Sequence, residues 1–359
     1  MKLPVIGAAF LAGLAFAAPA VTSEHHVTKR QAITNFAGTN AYWLPFLTND
    51  ADVETAFAAI ADAGLKVVRT WAFNDATSCS GVYFQCWSDG TPTINTGADG
   101  LERLDVVVQT AEKHGIQLIL PFVNNWGDYG GMDVYVSQLG GAGHADFYTN
   151  EAIQAAYTNY LDTIVNRYKD SSAIYGWELA NEPRCQGCET SVITEWARTT
   201  SAHIKSLDSA HYVLLGDEGF FNDPGNPSYP YQGGEGIDFV ANLGIETLDV
   251  GTIHLYTESW SQTYEWGSQW IADHSEACVA AGKVCILEEY GVPEDGEPRN
   301  TWMNAWHETL NNSPGIPADM YWQFGLELSN GPTHDDTYTI YNTDDNFQAL
   351  VVDWTASRA

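Results

Sequence analysis

The chain has 359 residues, 45% hydrophobic and 17% charged, enough apolar material for one large α/β barrel or two ordinary domains. A formal net charge of −31 surrounds it with a negative field that repels nucleic acid and anionic lipid, so neither nucleic acid nor membrane is an expected partner. A neutral polysaccharide meets no such repulsion, and the plain meaning of the charge is solubility for a secreted, acid-tolerant protein.

Residues 1–18 join a basic Lys2 to an apolar run from Leu3 to Phe16 and the start of a small-residue stretch, Ala17-Ala18-Pro19-Ala20, the pattern of a secretory signal peptide. The run falls short of the roughly 20 apolar residues that a bilayer-spanning helix requires, and no other segment approaches that length. Residues 19–30 end in the dibasic Lys29-Arg30, a kexin-type cleavage pattern, so they are expected to be a propeptide that leaves Gln31 as the mature N-terminus. Losing residues 1–30 removes three basic residues and one acidic one and takes the net charge to −33. The expectation is a soluble, extracellular monomer.

From residue 31 to 359, strand-like apolar runs alternate eight times with amphipathic stretches, the sequence form of a single (β/α)8 TIM barrel. Strands are predicted at 36–42, 66–71, 117–123, 174–182, 212–216, 249–256, 283–289 and 320–324. Helices are predicted at 52–63, 101–114, 153–168, 192–207, 266–281, 302–310 and 347–354. In the first helix Val53, Phe57 and Ile60 share one face, and Gly64 ends it. Long loops follow the second and third strands, the first holding Cys79, Cys86 and Thr91-Pro92, the second Asn124-Asn125-Trp126 and several glycines. No Ser/Thr/Pro linker interrupts the series, so the barrel is expected to grip its substrate without an appended binding module.

Six cysteines fall in three close pairs, Cys79/Cys86, Cys185/Cys188 and Cys278/Cys285, which behind an export signal suggests three local disulfides. Cys185-Gln-Gly-Cys188 has the spacing of a redox motif or half a zinc site, but no second Cys-x-x-Cys completes a ligand set. Nor does the Asp-rich stretch 335–346 follow the order of a calcium loop. No metal and no cofactor are expected.

The organising stretch is Ile174-Tyr-Gly-Trp-Glu-Leu-Ala-Asn-Glu-Pro-Arg-Cys185, an apolar run that stops at Asn181-Glu182-Pro183. Pro183 lacks a backbone donor, so pairing is expected to end there and leave Glu182 at the strand's C-terminal end, the rim where barrel chemistry gathers. The segment from Trp177 to Arg184 resembles the acid/base signature of glycoside hydrolase family 5, most closely its fungal endo-β-mannanase branch. Further matches fall in order: Val68 to Asp75, Ile253-His254-Leu255-Tyr256, Leu287 to Gly291 and Tyr321-Trp322-Gln323. The resemblance spans nearly all of the chain after residue 30.

Cleaving a glycosidic bond needs one carboxylic acid to protonate the leaving oxygen and one carboxylate on the opposite face. The resemblance makes Glu182 the acid/base and Glu289 the nucleophile of a retaining reaction. Strand alternation would point only one of Glu288 and Glu289 inward without saying which. The resemblance selects Glu289, because the family nucleophile precedes an aromatic-Gly pair, here Tyr290-Gly291, and leaves Glu288 a structural carboxylate. Arg69 is expected to bond Glu289 and hold it ionised, Tyr256 to donate to it, and His254 to share the strand face of Tyr256. Asn181 would meet the sugar's 2-hydroxyl, and Trp322 would stack beneath the sugar at the cleavage point. Trp71, Trp126 and Trp260, each at or just past a strand end, are further stacking candidates. Arg184 matches a leaving-group-side position, and Glu218 follows the fifth strand. The implied enzyme is a secreted endo-β-1,4-mannanase acting on β-mannan polysaccharide. An endo-β-1,4-glucanase of the same fold and a non-catalytic carbohydrate-binding barrel are the alternatives.

Overall fold

The computed structural model describes residues 35–293 and 297–358. The expected signal peptide, propeptide and Gln31 lie outside the described residues. Eight parallel strands close into a barrel: β1 (Phe36–Asn40), β2 (Val67–Arg69), β3 (Gln117–Pro121), β4 (Ile174–Glu178), β5 (Tyr212–Leu214), β6 (Val250–Leu255), β7 (Val284–Tyr290) and β8 (Ala318–Tyr321). Each pairs with its chain neighbours, and β8 closes on β1 with Ala318 opposite Phe36 and Tyr321 opposite Thr39. Parallel neighbours need long crossovers, which here carry α1 (Asp50–Asp62), α2 (Leu101–His114), α3 (Glu151–Tyr168), α4 (Ser191–Leu207), α5 (Phe239–Leu243), α6 (Tyr264–Ala281) and α7 (Glu297–Asn311).

The barrel is filled, not hollow. Phe36, Val67, Ile119, Tyr175, Leu214, Val250, Ile286 and Met320, one from each strand, form a buried cluster inside it, while a second, larger core packs helices against the outer face. Helix starts follow their caps: Asn49 accepts from Ala51 N, Asn150 from Ala152 N, and Thr263 from Trp266 N. Those caps explain why α1, α3 and α6 each begin two residues before their predicted starts.

Other departures from expectation lie mainly in the loops. The predicted fourth strand ends at Glu178, four residues short of Glu182. The eighth ends at Tyr321, while Phe324–Gly325 pairs outside the barrel with Ile340–Tyr341. The crossover between β5 and β6 contains a 3-10 turn, Tyr229–Tyr231, and the five-residue α5 in an otherwise irregular loop. The predicted closing helix is a π-type turn, Gln348–Asp353, running into the short helix Trp354–Ser357. The loop after β2 folds into its own three-stranded sheet, Asp75–Ala76, Gln85–Ser88 and Thr91–Ile94, tied by a disulfide between Cys79 and Cys86. Cys185–Cys188 and Cys278–Cys285 complete the three expected local bridges.

That small sheet braces one wall of the barrel mouth through Asp75, whose backbone N–H donates to the carbonyl of Tyr129 at 2.8 Å. The Asp75 side chain is buried; Oδ1 accepts from Gln85 at 2.8 Å and Trp87 at 3.3 Å, and Oδ2 has no partner. Burial pushes its pKa up to about 7, against the pull of those bonds. Unfolded Asp titrates near about 3.9, so the folded state holds this proton more tightly. The resulting stabilisation, roughly 2–4 kcal/mol, is complete below about pH 4 and lost as pH rises to about 7. Asp75→Asn cannot ionise and should remove this dependence. Melting temperatures of the two proteins are expected to diverge between about pH 4 and 7, the variant gaining on the parent. A difference that stays constant with pH would sink the assignment.

Candidate active site

The residues that converge on the barrel mouth are set by where the strands stop. Beyond β4 the chain keeps bonding to both neighbours without regular pairing. Leu179 and Ala180 donate to the carbonyls of Leu214 and Leu215, Asn181 to Val123 at 2.8 Å, and Glu182 to Gly216 at 2.8 Å. Glu182 takes φ 51°, a left-handed conformation costly for a residue with a side chain, held here by those bonds. Gly216, at φ 83°, lets the two segments approach: a Cβ there would lie 2.0 Å from the Ala180 carbonyl. The acid at residue 182 therefore sits in a strained turn beyond the strand.

Arg69, at the end of β2, is fully buried and organises the floor. Its Nε and Nη2 grip both oxygens of Glu178 at 2.7 Å, Nη2 also donates to Asn181 Oδ1 at 2.7 Å, and Nη1 donates to Asn40 Oδ1 at 3.2 Å and to Glu289. Asn181 in turn donates from Nδ2 to Asn124 Oδ1 at 2.9 Å, so its amide is oriented and one N–H is left over. Tyr256 OH donates to the other oxygen of Glu289 at 2.8 Å, as expected.

The register of β7 shifts between Leu287 and Glu289 where it pairs with β6. Regular alternation fails there, and both neighbouring carboxylates are buried in the same charged cluster. Glu289 lines the cleft; Glu288 does not, and lies 3.8 Å from Arg69 Nε and 3.4 Å from His254 Nε2. The expectation that one of the pair points away is thus corrected. His254 is also fully buried beneath the cleft, its Nδ1 2.7 Å from Glu182 Oε1 and 3.7 Å from Glu289 Oε2.

These neighbours set the charge states. For Glu182, burial acts upward, but the His254 bond and charge, the Trp126 indole N–H at 2.5 Å and the Arg184 charge outweigh it and bring the pKa down to about 2. For Glu289, burial prevails over His254 and Arg69, and the net direction is upward. Arg69 does favour the Glu289 carboxylate, as expected, without overcoming burial. For His254, burial acts downward, yet the Glu289 charge and the bonds to Glu182 and Glu288 hold its pKa well above the ordinary imidazole value.

Above this floor lies a cavity of about 970 Å³. Ten of the twelve residues predicted for the site line it: Trp71, Trp126, Asn181, Glu182, Arg184, Glu218, Tyr256, Trp260, Glu289 and Trp322; Arg69 and His254 lie underneath. Trp126 is the most open, at 42% exposure, whereas Trp71 and Trp260 are both 4% exposed and largely packed, Trp260 among Phe220, Trp266 and Trp270. Glu218 is spent on Arg184, which it holds through two bonds at 2.7 and 2.6 Å while Glu235 adds a third at 3.2 Å. Arg184 is clamped between the rings of Trp126 and Phe220, 5.0 and 4.9 Å from their centroids.

Sequence reasoning missed Tyr42, Asp128, Tyr129, Tyr229, His334, Asp336 and Tyr338 in the wall, and Glu178 and Glu235 behind it. Asp336 accepts from the Trp322 indole at 2.6 Å and from Gln323 at 3.0 Å, so the acidic stretch set aside as a poor calcium loop orients the stacking tryptophan. Tyr42 stacks on Trp322 with ring centroids 5.6 Å apart. Among the described residues, a group of Glu182, His254 and Glu289 has donor atoms within 4.8 Å of one another, and they are already engaged with each other, Arg69 and Tyr256.

Comparison with known proteins agrees with this geometry. Residues 27–327 match the family model "Cellulase (glycosyl hydrolase family 5)". The chain is 51% identical over 340 residues to mannan endo-1,4-beta-mannosidase A of Aspergillus aculeatus, covering 94% of this chain and 89% of that one. Among solved structures it resembles the endo-1,4-beta-mannanase of Rhizomucor miehei, at 38% identity and TM-score 0.83 over 90% of this chain and 95% of that one. It also resembles the endo-beta-1,4-mannanase of Thermotoga petrophila, at 33% identity and TM-score 0.82 over 90% and 76%. The closed barrel, the two acids facing across its mouth and these relatives lead to one conclusion: the chain belongs to glycosyl hydrolase family 5.

Proposed function

We propose that this glycoside hydrolase is a retaining endo-β-1,4-mannanase, with Glu289 as nucleophile and Glu182 as acid/base. The observation that carries the mechanism is spacing. One oxygen of Glu182 and one of Glu289 lie within 4.8 Å of each other, which suits the roughly 5–5.5 Å between carboxyl groups in retaining sites better than the 6.5–9.5 Å of inverting ones. Glu289 attacks the anomeric carbon while Glu182 protonates the departing oxygen, giving a covalent glycosyl-enzyme. Glu182, now a carboxylate, then draws a proton from the water that releases it. Arg69 and Tyr256 hold the nucleophile. The spare Asn181 N–H meets the 2-hydroxyl, a contact that strengthens as positive charge develops on the ring. Trp322, fixed by Asp336, offers an apolar face to the sugar at the cleavage point, and Trp126 and Arg184 shape the leaving-group side.

The choice of mannan rests on relatives named as mannanases. Mannose and glucose differ only at the 2-hydroxyl, so the catalytic residues alone do not separate mannan from cellulose. The protein is read as a secreted monomer, acting outside the cell after loss of residues 1–30. Initial rates on galactomannan, glucomannan and carboxymethyl cellulose, with viscosity followed beside reducing ends, test the substrate. A rapid viscosity loss confined to the mannans is expected. Preference for the cellulose derivative would replace mannanase by glucanase; release of mannose alone without viscosity loss would make the action exo; sugar binding without reducing ends would leave a binding protein.

A further inference from the structure

The proposed mechanism leaves Glu288 without a task. Its side chain is fully buried, is not part of the cleft lining, and has one oxygen, Oε1, with no hydrogen-bond partner. The other oxygen lies 3.4 Å from His254 Nε2, while His254 Nδ1 lies 2.7 Å from Glu182. An imidazole with a carboxylate at each nitrogen can hold two protons and part with one, and the partner at each nitrogen decides which.

We propose that His254, positioned by Glu288, stores the proton that Glu182 delivers to the leaving oxygen. This rests on Glu182 as acid/base and Glu289 as nucleophile. In the empty site Glu182 is ionised, held down to about 2 by His254, Trp126 and Arg184 against its burial. An acid in that state needs a donor within reach, and His254 Nδ1 is in contact. The Nε2 proton faces Glu288, below the cleft and away from substrate. The Nδ1 proton faces the reacting atoms, so the Glu288 carboxylate determines which one leaves.

The trigger is the loss of charge on Glu289. After burial, which opposes it, the Glu289 carboxylate is the largest influence holding the proton on His254. As a Glu289 oxygen bonds to the anomeric carbon, that negative charge disappears. The bond from carbon to the leaving oxygen breaks with its electron pair on oxygen, which takes a proton from Glu182, and Glu182 takes the Nδ1 proton. His254 is left neutral, with its Nε2 proton toward Glu288. In the second half, water attacks the anomeric carbon, its proton passes through Glu182 to Nδ1, and Glu289 departs with the bonding pair. The net change is hydrolysis, and every proton returns. Other charged groups near His254 are Glu178 from β4, Asp217 and Glu218 after β5, and Arg69 from β2, which bonds the carboxylates and not the ring.

Nitrogen NMR of labelled histidine reads the store directly. In the free enzyme His254 is expected to be doubly protonated at neutral pH, where an ordinary imidazole is largely neutral. Trapping the glycosyl-enzyme with a fluorinated mannobiosyl fluoride should convert it to the neutral ring protonated at Nε2. Glu288→Gln should move the alkaline limb of kcat/KM downward by about one pH unit, leave the acidic limb in place, and be partly corrected in Glu288→Asp. A neutral His254 in the free wild-type enzyme, or a ring whose protonation is the same before and after trapping, overturns the proposal even if the variants fail to fold. Peptide mapping of the trapped adduct separates the two levels, because an adduct on a residue other than Glu289 refutes the underlying assignment instead.

Discussion

Glu289→Ala should lower turnover of mannan by roughly five orders of magnitude, since removing a covalent nucleophile abolishes the two-step path and leaves only binding and electrostatic contributions. Fold and substrate binding should survive, because the alanine leaves space in a cleft open to water and relieves one member of a carboxylate cluster. Azide fits that space and should restore turnover of an activated mannoside, with product of inverted configuration at the anomeric carbon. The complementary Glu182→Ala should give a β-linked azide product, because the nucleophile is still present and azide intercepts the glycosyl-enzyme. Rescue with inversion in Glu288→Ala, and none in Glu289→Ala, would move the nucleophile by one residue. The local geometry argues against that: Glu289 accepts from both Arg69 and Tyr256 and lines the cleft, while Glu288 is beneath it.

The largest effect on stability is expected from Arg69→Met. The guanidinium is fully buried and bonds Glu178, Glu289, Asn181 and Asn40, with Glu288 3.8 Å away. Methionine fills similar apolar volume but leaves three buried carboxylates without their cation. Breaking a buried ion pair from one side costs about 3–5 kcal/mol, or roughly 4–7 °C in melting temperature for a chain of this size. The sign with pH follows from charge. Without Arg69 the carboxylates relieve the penalty only by taking up protons, so the deficit should be greater near neutral pH than near about pH 4. Arg69→Lys keeps a charge but not the fork that grips Glu178 at both oxygens, and should recover only part of the loss. Thermal melts at the two pH values decide it: a variant within about 2 °C of the parent at neutral pH would mean that the cluster is not held by this cation.

How far the sequence reached differs from one part of the protein to another. The predicted helix 101–114 is α2 (Leu101–His114) to the residue, because a strong apolar stripe ends at Gly115, left-handed at φ 66°. The residues that resemblance pointed to at strand ends do meet at one cleft, since each strand of a parallel barrel delivers its C-terminal end to the same rim. The three cysteine pairs needed only proximity in sequence. Glu178 went unrecognised because its role depends on Arg69, 109 residues away, and Asp336 because the irregular loop that returns it to Trp322 has no periodicity to read.

By itself, then, the sequence carried the barrel class through apolar periodicity, a local property, and through resemblance pointed to the two candidate acids and to ten of the residues that line the cleft. Only the tertiary structure decided that Glu182 stands in a strained turn past its strand, that a register shift in β7 brings both Glu288 and Glu289 into one buried cluster, and that Glu218 serves Arg184. It also decided the charge states, with Glu182 held low by His254 and Trp126 while burial raises Glu289. Those outcomes depend on burial and on contacts between residues scores of positions apart, and neither is encoded in the spacing of residues along one segment.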